Sequence, residues 1–119
     1  MSQENPDITT AAQAFAAMGS EPRLEVLMCL VRAGRKGLAV GDIQTRTNIP
    51  ASTLNHHLKF LTAAGIVSQE KQGRTIINRA ELDGLEHLAG FILMQCCVDE
   101  TQPHANSNEN AQDKGAENV

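Results

Sequence analysis

Two adjacent thiols near the end of an apolar stretch are the first residues of this chain that point to chemistry. Cys96 and Cys97 lie in FILMQCCVDE and are two of only three cysteines. Thiolate sulfur is the preferred ligand of soft, thiophilic ions, so the pair is a candidate site for a metal or metalloid. A redox pair and simple apolar packing are the alternatives. Adjacent side chains on an intact helix diverge by roughly 100°, so both sulfur atoms can hold one ion only if the helix ends there.

Polar side chains that could bind nucleic acid follow one side of a predicted helix in ASTLNHHLKFLTAAG. Leu54, Leu58 and Leu61 share the opposite side and should be buried. The polar side carries hydroxyl, amide, imidazole and ammonium groups, which can donate hydrogen bonds to phosphates and to base edges in the major groove. No carboxylate lies between Pro50 and Val67, unlike in an ordinary solvated surface helix. The predicted DNA-contacting residues of this helix are Ser52, Thr53, Asn55, His56 and Lys59.

A predicted β-hairpin around Gln72-Gly73 extends this candidate surface. Arg74, beside the turn, would reach a backbone phosphate or the minor groove. For Lys71, an ordinary charged hairpin is the favoured interpretation. His57 flanks the buried leucines, so we expect it to pack or to form a hydrogen bond rather than to contact a base.

Charge is distributed unevenly along the 119 residues, whose formal net charge is −4. The segment 20–79 carries nine basic and four acidic residues, whereas the remainder carries one basic and ten acidic residues. A basic centre with acidic flanks is expected of a protein that binds a polyanion, and chance scatter of surface charge is the alternative. An aromatic content of 3%, without Trp or Tyr, argues against a surface that stacks the bases of single strands.

Several classes of protein are excluded by the same residues. No stretch approaches 18 uninterrupted apolar residues, so no membrane span is predicted. The start, MSQENPDITT, lacks a basic region followed by an apolar one, so no export signal is predicted and the cysteines should be reduced thiols in the cytoplasm. The chain has no Cys-X-X-Cys motif, Ser/His/Asp set or Gly-rich phosphate loop, so we do not expect an enzyme.

The elements that must position these residues are five helices and one hairpin, a mainly α fold with a small β-hairpin (α+β). Helical periodicity with Gly and Pro boundaries predicts helices at 8–18, 23–33, 38–48, 51–65 and 80–97, and the hairpin at 66–78. The second helix should bury Leu24, Leu27, Leu30 and Val31. The order α1-α2-α3-α4-β-β-α5 is a winged helix-turn-helix plan. The predicted organisation is a flexible N-terminus at 1–7, one domain at 8–98 and a disordered polar tail at 99–119.

Four segments, EPRLEVLMCL, GDI, ASTLNHHLKFLTAAGIV and GRTIINRA, resemble the ArsR/SmtB (arsenical-resistance-type) repressors. The resemblance covers residues 11–98 and implies a bacterial, cytoplasmic homodimer paired through its first and last helices. Such proteins bind double-stranded operator DNA and release it when an inducer binds. Carried over to this chain, the resemblance assigns DNA contact to Ser52, Thr53, Asn55, His56 and Lys59 on the recognition helix and to Arg74 on the wing.

Apolar faces on the first and last helices agree with a dimer. The two faces are formed by Ile8, Ala12 and Phe15, and by Leu82, Leu85, Ala89, Ile92 and Leu93. Pairing them across a twofold axis would bury both and set two recognition helices about 34 Å apart, one turn of DNA. The alternative is that both faces cover the core of a single chain.

The resemblance reduces the number of candidate inducers but does not identify one. The Cys-Val-Cys of some arsenite sensors is replaced by Ala39-Val40-Gly41, and Asp83, Glu86 and His87 do not make the zinc site of the last helix. Cys96 and Cys97 resemble the pairs of arsenite- or methylarsenite-responsive members, so a trivalent arsenical or another thiophilic ion is the expected inducer, with no obligatory cofactor. Alternatives are thiol oxidation or persulfide chemistry that pairs Cys29 with either cysteine, a metal-independent member, and a protein-binding winged helix.

Overall fold

A computed structural model describes residues 7–100 of the chain. Apart from Asp7, Asp99 and Glu100, the predicted flexible terminus and polar tail lie outside the described residues. The elements are α1 (Ile8–Ala17), α2 (Glu21–Ala33), a 3₁₀ turn (Gly34–Lys36), β1 (Leu38–Ala39), α3 (Val40–Thr47), α4 (Ala51–Ala63), β2 (Val67–Gln72), β3 (Thr75–Ala80) and α5 (Leu82–Leu93). This order confirms the predicted mainly α fold with a small β element.

Caps at the helix ends follow from local sequence. The Asp7 carboxylate accepts from the Thr10 N–H at 2.8 Å, and this hydrogen bond lowers the pKa of Asp7 below its usual value. Ser20 caps α2 in the same way, through the Arg23 N–H at 3.2 Å, and Pro22 lies in the first turn. These caps satisfy N–H groups that have no partner within the helix, and both α1 and α2 begin within about two residues of their predicted positions.

The sheet has three strands rather than the two of the predicted hairpin. β3 pairs with both β2 and β1 in the antiparallel sense, with Leu38 opposite Asn78. The buried Asn78 side chain donates to the Leu38 carbonyl oxygen at 3.2 Å and accepts from Gln69 Nε2 at 2.7 Å. Gly37 allows this approach: its φ is +70°, and a Cβ there would lie 2.6 Å from the Asn78 carbonyl oxygen.

The core lies between α2, α3 and α4. Its largest fully buried side chains include the three leucines predicted from the fourth helix, and the whole set is Leu30, Ile43, Leu54, Leu58, Leu61, Val26, Asn78 and Cys29. The prediction for α2 was wrong at Leu24, which is 43% exposed. The buried side of α2 is centred on Val26 and Leu30, so Leu24 lies on the outer side of its first turn.

The last helix differs from its prediction in both its length and its faces. α5 ends at Leu93 instead of reaching the cysteines, and residues 94–99 form successive turns. Within α5 only Leu88 is fully buried, while Leu82 and Leu85 lie against the core of their own chain. A single connecting residue, Glu81, joins β3 to α5, and its N–H donates to the Ile66 carbonyl oxygen at 2.9 Å.

Across residues 7–100, none of the helices combines the length and the apolar character that crossing a membrane would demand.

Candidate nucleic-acid interface and thiol site

The rotation of α4 is set by the three leucines on its inner side. Leu54, Leu58 and Leu61 are each at most 1% exposed, and α4 packs against α2 and α3. Burying three large apolar side chains stabilises this rotation, so the opposite side of the helix faces solvent. The five residues predicted to contact DNA on this helix are all exposed: Ser52, Thr53, Asn55, His56 and Lys59.

The turn between α3 and α4 is held by local hydrogen bonds. Asn48 ends α3 in the left-handed region with a φ of 64°. The Thr47 hydroxyl donates to the Ile43 carbonyl oxygen at 2.8 Å and accepts from the Ile49 N–H at 3.4 Å. Pro50 precedes α4 without a side-chain cap, and the first turn of α4 has no acidic residue. The first N–H groups of α4 are therefore suited to a phosphate.

Phe60 is a surface residue that the sequence analysis did not identify. It is 46% exposed on α4, one turn after His56, whose imidazole meets the phenyl ring edge-on with the centroids 5.0 Å apart. The guanidinium carbon of Arg23 lies 4.9 Å from the centroid of the same ring. Arg23 also donates from Nε to the carbonyl oxygen of Ala17, the last residue of α1. The i, i+4 spacing of His56 and Phe60 is the sequence signal that could have revealed this contact.

His57 is half-buried beside the leucines, as the sequence predicted for a packing residue. Its Nδ1 atom is buried and has no hydrogen-bond partner among the described residues. Burial lowers the pKa of His57 below its usual value, and the positive charges of Arg23 and His56 lower it further. The burial of this imidazole agrees with a packing role for His57.

The wing is the β2–β3 hairpin, with its turn at Gly73 and Arg74. Gly73 takes a φ of +64°, as the predicted turn requires, and both Arg74 and Lys71 are exposed near the tip. Farther from the tip, Arg79 is committed to the fold, because it donates to the Arg35 carbonyl oxygen at 2.7 Å and to Glu70 at 2.6 Å. The cations that remain available at the wing tip are therefore those of Arg74 and Lys71.

The end of α5 brings the two predicted sulfur ligands together. The Sγ atoms of Cys96 and Cys97 are 3.2 Å apart, and both side chains are exposed. Cys97 takes a φ of +65°, which turns its side chain back toward its neighbour after the helix has ended. The hydrogen bond from Cys96, with a further contribution from Glu100, raises the pKa of Cys97 to about 11. No group of three or more His, Cys, Asp or Glu side chains that could hold a metal ion occurs within residues 7–100.

Cys29 lies in a different environment from Cys96 and Cys97. It is 2% exposed within the core, and its thiol is free. The packing role that the sequence favoured for it agrees with this burial, whereas a bridge to the exposed cysteines requires the core around Cys29 to open.

Comparison with known proteins shows the same architecture elsewhere. A family profile described as a helix-turn-helix domain matches residues 18–70. YceK of Bacillus subtilis, an uncharacterized HTH-type transcriptional regulator, is 30% identical over 93 residues, 77% of this chain and 92% of its own length. An ArsR-like transcriptional regulator from Rhodococcus sp. RHA1 superimposes with a TM-score of 0.66 at 31% identity, covering 76% of this chain and 82% of that one.

The chain belongs to the ArsR/SmtB family. A further relative of this ArsR/SmtB regulator is a homodimeric winged helix-turn-helix DNA-binding domain from Mycobacterium bovis, with a TM-score of 0.59 at 25% identity over 82% of this chain and 90% of that one. The family consists of DNA-binding transcriptional regulators, so the expectation that this chain is not an enzyme is confirmed.

The helix-turn-helix match tests some parts of the chain and leaves others untouched. Residues 18–70 include the whole of α4 but neither the wing tip nor the thiols. The individual DNA contacts therefore stay predictions, and so do Cys96 and Cys97 as an inducer site of this ArsR/SmtB regulator.

Proposed function

We propose that this ArsR/SmtB regulator is a homodimeric repressor of the bacterial cytoplasm. It binds double-stranded operator DNA through α4 and the wing, and it leaves the operator when a trivalent arsenical binds Cys96 and Cys97. The observation that carries the proposal is the 3.2 Å separation of the two exposed sulfur atoms. DNA binding itself requires no cofactor.

Exposed apolar side chains on the first and last helices support pairing of two chains. Phe15 is 38% exposed on α1, and Ile92 and Leu93 project from α5 with 57% and 69% of their surface exposed. Burying such side chains against a second copy recovers hydrophobic free energy. The face available on α5 is smaller than predicted, because Leu82 and Leu85 already pack against the core of their own chain.

A symmetric dimer suits the recognition surface. The exposed side of α4 carries hydroxyl, amide, imidazole and ammonium groups and no carboxylate. A twofold axis would place two such helices about 34 Å apart, so that each enters a successive major groove on one side of the duplex. Phosphate contacts from Lys59 and Arg74 would supply salt-dependent affinity, and base-edge contacts would supply specificity.

A monosubstituted trivalent arsenical matches a site that offers two sulfur atoms. Methylarsenite carries two exchangeable hydroxyl groups and one arsenic–carbon bond. Two As–S bonds form as two As–O bonds break; each hydroxyl leaves as water with one thiol proton, and no electrons are transferred. Arsenite has a third exchangeable hydroxyl, and the remaining thiol among the described residues, Cys29, is buried in the core. Methylarsenite is therefore the preferred ligand in this proposal.

The raised pKa of Cys97, about 11, favours the binding of methylarsenite, a neutral molecule, over the binding of a divalent cation. Zinc and cadmium need thiolate ligands, so they must displace a proton that Cys97 holds tightly. The exchange with methylarsenite starts from neutral thiols and releases water instead. We therefore expect arsenical binding to depend little on pH near neutrality, whereas binding of either cation should strengthen as the pH rises.

Arsenical binding would act beside the proposed dimer interface. Leu93 and Val98, both exposed and apolar, lie within three residues of the thiols. Bonds from one arsenic atom to both sulfur atoms close a ring that fixes the backbone of the turn. The apolar side chains next to it then take one arrangement, and DNA is released because that arrangement changes the spacing of the two recognition helices.

Fluorescence anisotropy of labelled promoter DNA from the chain's own gene tests the proposal. The wild-type chain should bind in a salt-sensitive manner and release the DNA when methylarsenite is added. The double variant Cys96→Ser/Cys97→Ser should bind with unchanged affinity and show no response. Cys29→Ala is the matched control, since it removes only the core thiol, and it should respond like the wild type. Release of the double variant by methylarsenite would contradict the proposal.

Other inducers are separated in the same titration. An organic persulfide that releases the wild-type chain but not Cys29→Ala would favour the pairing of Cys29 with Cys96 or Cys97 over the arsenical. Arsenite, zinc and cadmium are added in parallel, and an operator complex that resists every addition would indicate a metal-independent regulator. If the chain does not bind the labelled DNA at low or at high salt concentration, a protein-binding winged helix would be favoured.

A further inference from the structure

Three helices meet at the phenyl ring of Phe60. The ring belongs to α4, and the guanidinium group that lies 4.9 Å from its centroid comes from Arg23 in the first turn of α2. The Nε atom of Arg23 donates to the carbonyl oxygen of Ala17 at the end of α1. A cation at a helix C-terminus is stabilised by the carbonyl groups that have no partner within the helix, so α1 fixes the position of this guanidinium group.

The other contact of the ring is with a residue predicted to touch DNA. His56 meets Phe60 edge-on, with an interplanar angle of 82°. Edge-to-face geometry is favoured for aromatic pairs because the positive ring edge of one meets the negative face of the other. The guanidinium group, the phenyl ring and the imidazole form a column, which we call the Arg23–Phe60–His56 column.

The core does not explain the position of Phe60. The side chain is 46% exposed and lies outside the set of buried residues that forms the core. A cation and a second ring give the phenyl group specific electrostatic partners on the surface. The ring is therefore suited to ordering its two neighbours rather than to filling the interior.

We propose that Phe60 and Arg23 are positioning residues for DNA recognition, which hold the exposed imidazole of His56 in the rotamer that meets the duplex. This inference rests on the proposed function, because it requires α4 to bind operator DNA. An exposed side chain that is ordered before binding loses less conformational entropy on contact, so the column strengthens operator binding without adding a contact of its own. It also ties the orientation of His56 to α1, a helix of the proposed dimer interface.

Nuclear magnetic resonance of the DNA-free chain tests whether the column exists in solution. The imidazole protons of His56 should carry a ring-current shift that disappears in Phe60→Leu and decreases in Arg23→Lys, which keeps the charge but lacks Nε. Phe60→Tyr should retain the shift. An unshifted His56 in the wild-type chain would overturn the proposal regardless of how the chain binds DNA.

A double-mutant cycle on operator affinity tests the role of the column. Phe60→Leu should weaken operator binding by about 3- to 10-fold when His56 is present, and should have no effect in a His56→Ala background. Phe60→Tyr should restore wild-type affinity. A structural role for Phe60 would instead weaken binding equally in both backgrounds, and equal losses would overturn the proposal. Leu24→Ala is the matched control, since Leu24 is 43% exposed on α2 and should leave affinity unchanged.

The same series separates this inference from the proposed function. If His56→Ala leaves operator affinity unchanged while Ser52→Ala and Lys59→Ala reduce it, the positioning role is overturned and the DNA-binding assignment of α4 stands. If none of the α4 variants alters the affinity, the assignment of α4 itself is wrong.

Discussion

The recognition helix and the thiol-bearing turn differ in how firmly the core holds them. α4 places Leu54, Leu58 and Leu61 in the interior, whereas every residue from Ile92 to Glu100 is exposed. One region keeps a single shape because burial stabilises it, and the other takes a shape that a ligand or a second chain can change. This difference suits the roles proposed above, in which α4 contacts DNA and the thiol-bearing turn responds to the inducer.

The largest effect should come from a cavity under the recognition helix. Leu58→Ala should lower the free energy of unfolding by about 2–5 kcal/mol, because it removes apolar contacts at a site that is 1% exposed. Urea denaturation followed by circular dichroism measures the change. Leu24→Ala on the exposed side of α2 should cost much less, and equal costs for the two variants would contradict the described core.

A second effect should distinguish the base of the wing from its tip. Gly73→Ala, at φ +64° with open space around it, should cost about 1–2 kcal/mol of stability from backbone strain alone. Gly37→Ala adds an overlap with the Asn78 carbonyl oxygen and should cost about 1–3 kcal/mol more. Thermal unfolding of both variants shows which one loses more stability. A larger loss for Gly73→Ala would contradict the argument that the close approach to Asn78 requires glycine at position 37.

A third effect concerns the charge on α4. Lys59→Ala should weaken binding to all DNA sequences and reduce the slope of log K against log salt by about one unit if its ammonium group holds a phosphate. Binding isotherms at several salt concentrations give the slope. Lys36→Ala, an exposed lysine on the 3₁₀ turn, is the control and should leave the slope unchanged. An unchanged slope in Lys59→Ala would remove Lys59 from the phosphate contacts.

The smallest effects on stability should come from pH. The region around α4, through His57, should lose stability at acidic pH, and the thiol-bearing turn, through Cys97, should lose stability at alkaline pH. The pKa of His57 is lowered in the folded chain, so the unfolded chain binds more protons and stability falls as the pH drops below about 6.5. The pKa of Cys97 is raised from 9.0 to about 11, so the unfolded chain loses its proton first and stability falls as the pH rises above 9.0. Urea midpoints across this range measure both losses.

Two variants assign these pH effects. His57→Gln should reduce the loss of stability at acidic pH, and Cys97→Ser should reduce the loss of stability at alkaline pH. Each variant serves as the control for the other, and a variant that flattened the wrong side would contradict the assigned group.

Prediction from the sequence succeeded where the chain repeats a pattern. The spacing of Leu54, Leu58 and Leu61 fixed the helix and its buried side together, and Gly73 located the turn of the wing. The Leu24 error arose in a helix with apolar residues on more than one side, where periodicity alone does not select the side that the core uses. The family and the mainly α fold were confirmed because these patterns cover most of the domain.

The parts that escaped prediction depend on distant or irregular contacts. β1 has only two residues, and Leu38 pairs with Asn78, forty residues away. No local sequence pattern therefore predicts this strand. The approach of the two thiols involves a positive φ at Cys97, beyond the end of α5 at Leu93, and the residue type does not indicate that conformation. Phe60 was overlooked because its partner Arg23 comes from another helix. The fold and the exposed polar side of α4 were thus predictable in outline, while the contacts made by β1 and by Phe60 and the backbone turn at Cys97 were not.

Glu81 is the whole of the linker between the central strand of the sheet and the last helix, and its amide is itself tethered to Ile66. A linker this short has no slack to absorb motion. If a ligand bound near the cysteines rotated α5, this connection would transmit part of the rotation to β3 and the wing. Under the proposed function, a chain with extra glycine residues inserted at Glu81 should still bind methylarsenite but should release DNA less completely when it does.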